Sequence, residues 1–126
     1  MVAGKRTTCL IMRSRLALQS GAFAAALTLA QQALQSAGQV HSEDPLKDGH
    51  MVASIHRLAG DIRRSMGDNV GAQAEWSTAL SSLPPNAAET PSEMDEHATI
   101  LDRLGRRAEA LQLGRRLNSM GYRRIT

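Results

Sequence analysis

The chain has 126 residues, 42% hydrophobic but only 2% aromatic, and its 15 Lys and Arg against 12 Asp and Glu give a formal net charge of +3. That length suits one domain with a modest core, and the single cysteine, Cys9, excludes an intramolecular disulfide framework and fits a reducing, cytoplasmic setting. Ala, Leu and Met supply most of the apolar content, which favours helices over strands, and no apolar run approaches the roughly 20 residues that span a bilayer.

The first block opens basic. Lys5, Arg6, Arg13 and Arg15 precede LALQSGAFAAALTLA, which faintly imitates a secretory signal. Gln19, Ser20 and Gly21 interrupt that apolar region, so a helix hairpin accounts for it better. Leu10, Met12, Leu16 and Leu18 lie before Gly21; Phe23, Ala26, Leu27, Ala30, Ala33 and Leu34 follow it. Gly4-Lys5 lacks the upstream glycine and the strand that a phosphate-cradling loop requires. Cys9 has no histidine nearby in sequence and reads as a structural or incidental thiol.

A break at 38–50, with Gly38, Pro45 and Gly49, separates the second block. There Ile55, Leu58, Ala59, Ile62 and Met66 recur at helical spacing. After Gly67, Asp68 is placed to cap a second helix whose face carries Ala72, Trp76, Ala79 and Leu80. A second break, 84–91 (PPNAAETP), leads to the third block. Met94, Ala98, Leu101 and Leu104 form its first stripe; past Gly105 come Ala108, Leu111 and Leu117, with Ala110 beside them.

An all-α chain of six helices in three hairpins is expected, as one domain with repeats at about 7–40, 53–86 and 91–124. Gly21, Gly67 and Gly105 turn the three hairpins, 46 and 38 residues apart, and loops absorb the difference. Repeated hairpins of this size suggest a solenoid, in which each unit buries its face against its neighbours.

The segment from Ala53 to Asn86 resembles a tetratricopeptide repeat. Gly60 stands at the family's small position in the first helix, Gly67-Asp68 at its turn, and Ala72, Trp76, Ala79 and Pro84 at its second-helix and closing positions. The resemblance implies a right-handed superhelix in which Trp76 fills the groove that the small residues open. The neighbouring blocks depart from the pattern: Ser14 and Ala30 in the first, Gly114 at the counterpart of Trp76 in the third, and Arg63 where a large apolar residue is usual. LGRRAEALQLGRRLNSMGYR is similar to closing repeats in large bacterial signalling proteins, which implies a bacterial origin and a piece of a longer chain.

The resemblance also implies a function, protein–protein interaction through the concave face lined by the first helix of each hairpin. The family's ligand-facing spacing, carried onto this sequence, gives Arg15, Arg57, Asp61, Arg64, Asp95, Thr99 and Asp102. Some members grip a peptide's terminal carboxylate with paired lysine and asparagine. Here Arg57 keeps the charge, but Asp61 replaces the asparagine, which argues against that clamp and toward a mixed-charge peptide.

Charge divides sharply near the end. Glu89 to Asp102 holds five acids and no Lys or Arg, whereas Arg103 to Arg124 holds seven arginines and one acid, Glu109. The pairs Arg106-Arg107, Arg115-Arg116 and Arg123-Arg124 could form a basic strip for nucleic acid or an acidic peptide. No aromatics are interleaved for base stacking, so pairing with the acidic helix is the favoured account. Leu111, Leu117, Met120 and Tyr122 would leave an apolar terminal edge, through which a homodimer could form.

Glu93 and His97 have helical metal-ligand spacing with Glu96 adjoining, but no third ligand follows in sequence. A surface ion pair is expected there, and a packing role for His56. No metal or other cofactor and no catalytic activity are expected.

Overall fold

The computed structural model describes residues 3–38, 45–83 and 90–121. It is all-helical: α1 (Ala3–Gln19), α2 (Phe23–Ala37), α3 (Pro45–Ser65), α4 (Asn69–Ser82), α5 (Pro91–Arg103) and α6 (Arg107–Ser119). No described helix is long and apolar enough to cross a membrane.

The three hairpins turn in one way. Gly21, Gly67 and Gly105 have φ of 83°, 84° and 80°, the left-handed region that glycine enters without steric cost. The next residue then donates its N–H to the carbonyl five positions back: Ala22 to Ala17 (2.8 Å), Asp68 to Arg63 (2.8 Å) and Arg106 to Leu101 (2.9 Å). This bond closes each helix end on a carbonyl of its last turn.

The starts of α4 and α5 are capped by side chains. Asp68 accepts from Gly71 N (2.9 Å), as its position before the helix requires. Thr90 Oγ1 accepts from Glu93 N (3.2 Å) while Thr90 N donates to Glu93 Oε1 (2.9 Å), a reciprocal box followed by Pro91 at the first helical position. At α3 the expected loop at 38–50 is too long, because the helix already begins at Pro45. A proline in the first turn lacks only an N–H that has no helical partner.

Small residues recur at the same distances from each hinge glycine. Seven before it stand Ser14, Gly60 and Ala98, and five after it Ala26, Ala72 and Ala110, all buried. In the first hairpin the closeness is direct: Ser14 Oγ donates to the Ala26 carbonyl at 2.7 Å. A hydroxyl pair, Thr7 and Ser36 (2.7 Å), is likewise buried between α1 and α2. In the second hairpin a methyl on Gly60 would overlap the indole of Trp76. The lone ring occupies space that only glycine leaves open.

The hairpins stack in order. Leu10, Ala26, Ala30, Ala33 and Ala37 meet Ile55, Leu58, Ala59 and Ile62 at the first junction. Ala53, Ala79, Leu83 and Ile100 form the second, with Leu80 and Leu104 beside them. Several apolar stripes expected from spacing are rotated relative to this core. Met12 (58% exposed), Leu16 (63%), Met66, Leu111 (60%) and Ala108 face solvent, while Leu117 is fully buried. Leu117 therefore belongs to the core of the last hairpin and not to an exposed edge, being the counterpart of Ala33 and Ala79.

Candidate functional site

α3 contacts both α1 and α5, so the first helices of the three hairpins line one side of the stack. A cavity of about 270 Å³ opens there, lined by Arg15 of α1, His50, Met51 and Ser54 of α3, and Ser92, Glu93 and Glu96 of α5. His50 Nε2 lies 3.6 Å from Glu93 Oε2. Its Nδ1 is buried with no hydrogen-bond partner among the described residues.

Behind this cavity runs a polar network. Arg57 grips Glu96 with two donors, Nε to Oε1 (2.8 Å) and Nη2 to Oε2 (3.3 Å), and reaches Asp61 Oδ2 with Nη1 (3.0 Å). Asp61 Oδ1 accepts from Arg103 Nε (2.9 Å) and from Trp76 Nε1 (3.1 Å). One carboxylate on α3 thus joins α3, α4 and α5. Burial alone would lower the Arg57 pKa, but its hydrogen bonds and proximity to Glu96 and Asp61 outweigh that and raise it. The guanidinium therefore keeps its charge across the whole neutral range.

The expected ligand-facing residues divide accordingly. Arg15 is exposed and lines the cavity. Arg64 is exposed, its guanidinium 5.5 Å from the Trp76 ring centroid in a cation–π arrangement. Asp102 is exposed and Asp95 half-buried on α5. Asp61 and Arg57 are not open groove contacts: the first is buried at the network's centre, and the second spends its donors on Asp61 and Glu96. Thr99 is also buried, its Oγ1 donating to the Asp95 carbonyl (2.9 Å). On α3, Glu96 and Arg103 of α5 cover the two positions, Arg57 and Asp61, that spacing alone assigns to the groove.

Glu96 and Arg103 were not expected in this role. Their partners lie 39 and 42 positions away, and the only local signal is the i,i+4 spacing of Arg57 and Asp61. Glu93 and Glu96 reach α3, at His50 and Arg57, and no cluster of three metal-ligand side chains occurs among the described residues. His56 Nδ1 packs 3.4 Å from Glu75 Oε2, as a packing histidine should.

At the last hairpin Arg106 pairs with Glu109 (2.7 Å). Arg107 and Leu111 are exposed. Arg115 and Arg116 border a crevice of about 610 Å³ with His97, Leu101, Glu109, Gln112 and Leu113. Tyr122, Arg123 and Arg124 lie outside the described residues.

Comparison with family models, with curated proteins and with solved structures gives no match.

Proposed function

We propose that this chain is a tetratricopeptide-like interaction module, binding a segment of a partner protein in the cavity that α1, α3 and α5 line together. The observation that carries this is that one cavity draws its walls from the first helix of every hairpin. The recurring hinge geometry and the small residues at fixed distances from it support a right-handed repeat stack. A preformed groove suits binding of an extended segment, since the receptor loses little freedom when it is filled.

The ligand is a mixed-charge peptide. Arg15 offers a cation on the α1 side, and Glu93 and Glu96 make the α5 side acidic. The module binds and does not catalyse, and acts in the cytoplasm.

A displayed library of random peptides, selected on the wild-type chain and then on Arg15→Glu and Ser54→Arg, tests this. Enriched peptides that carry both charges and lose binding to both variants support the groove. Peptides indifferent to both variants rule it out.

A second reading, a nucleic-acid adaptor, draws on Arg115 and Arg116, which have no ion-pair partner among the described residues. It requires binding that falls steeply with salt.

A further inference from the structure

One face of α1 is left uncovered among the described residues, and the repeat register identifies it. Counting back twelve, nine and five from the hinge glycines, Cys9, Met12 and Leu16 stand where α3 has Ile55, Leu58 and Ile62. Those three α3 residues are at most 2% exposed and belong to the core that α3 forms with the alanines of α2. On α1 the same positions are open: Met12 is 58% exposed, Leu16 63%, and Cys9 is exposed as well. α1 therefore offers to solvent the surface by which α3 docks on the hairpin before it.

Charge selects the occupant. From Met1 to Ser42 the sequence holds no aspartate or glutamate. Arg6 and Arg13 are exposed on α1, outside the cavity that Arg15 lines, and have no ion-pair partner among the described residues. A helix that sets leucines on Met12 and Leu16 and carboxylates beside those arginines matches the face in both respects. The chain's own α6, which holds the place of α2 in its hairpin, carries Arg107, Arg115 and Arg116 against Glu109 alone. A second copy docking through α6 would bring like charge to like charge.

We propose that the Cys9–Met12–Leu16 face of α1 docks an acidic amphipathic helix of a partner protein, seated on α1 as α2 is seated on α3. This face is separate from the cavity on α1, α3 and α5, and the proposal holds whatever that cavity binds.

The test is fluorescence anisotropy with the full chain and a labelled synthetic helix of about 20 residues. The helix carries leucine at every third and fourth position and glutamate and alanine elsewhere. One-to-one binding is expected, weakened at least about tenfold by Met12→Ser with Leu16→Ser. Both side chains are exposed, so circular dichroism and the melting midpoint should not change. Arg13→Glu provides a second variant: it should weaken the glutamate helix and favour its lysine counterpart. Ser54→Arg, in the cavity, should leave this affinity as it was.

Unchanged affinity in both the serine and the Arg13→Glu variants overturns the proposal. So does Leu16-dependent binding to phosphatidylserine-containing vesicles in place of the helix, which would assign the face to a membrane. A dimer that dissociates on Leu16→Ser would assign it to a second copy, with the same consequence.

Discussion

Asp61 accepts hydrogen bonds from side chains on three helices, and one of the donors is the indole that rests on Gly60. The indole's position is consequently fixed from two sides, by its N–H and by contact with the glycine backbone. Gly60→Ala poses a direct contest. Alanine gains about 1 kcal/mol of helix propensity over glycine, but overpacking a filled core costs about 1–3 kcal/mol. Because the ring is held by Asp61 and cannot swing aside, overlap should win, and chemical denaturation should show Gly60→Ala less stable than wild type. In a Trp76→Leu background the same change should become neutral or stabilising, since the obstacle has gone. A stabilised Gly60→Ala single variant would mean the indole is far freer than its contacts imply.

At the level of elements, much of the architecture was legible. Each hinge glycine is where a left-handed turn is needed, and Asp68 caps α4 as a side chain in that position can. Spacing marks which residues share a helix face but not which way the face points. Met12 and Leu16 fall at core-like intervals yet are exposed, because the buried side of α1 is built from Thr7, Leu10 and Ser14. Hydroxyls that bond across the hairpin can line a close interface, and a hydropathy pattern reads them as polar surface. The bridging roles of Glu96 and Arg103 were not legible for another reason: they exist only once α5 has docked on α3. The Thr90–Glu93 box was missed too, because the break was read as running through Pro91 and so took in the capping residue. Thr90→Ala should cost about 1 kcal/mol, read as a lower unfolding midpoint with unchanged denaturant dependence. No change would mean that Pro91 alone fixes the start of α5.

Across the whole molecule the two junctions differ in kind. The first rests on a broad apolar set around Ile55, Leu58 and Ile62. The second has a smaller buried set, Ala53, Ala79, Leu83 and Ile100, and is bridged by Arg57–Glu96 and Arg103–Asp61. In a stack stabilised by nearest neighbours, the unit with the weaker junction opens first. Amides of α5 and α6 should therefore exchange with solvent faster than those of α1 to α4, and Arg103→Gln should widen the gap. Uniform protection along the chain would show one cooperative unit instead. The same bridge has an optical consequence. Trp76 is the chain's only tryptophan, is 4% exposed, and shares Asp61 with two cations, one of which also holds the cavity-lining Glu96. Light emitted by this protein on tryptophan excitation comes from a single site beside the groove, and its colour follows the charges drawn toward or away from that ring. A peptide seated in the cavity as proposed is expected to shift that emission, with no label to attach.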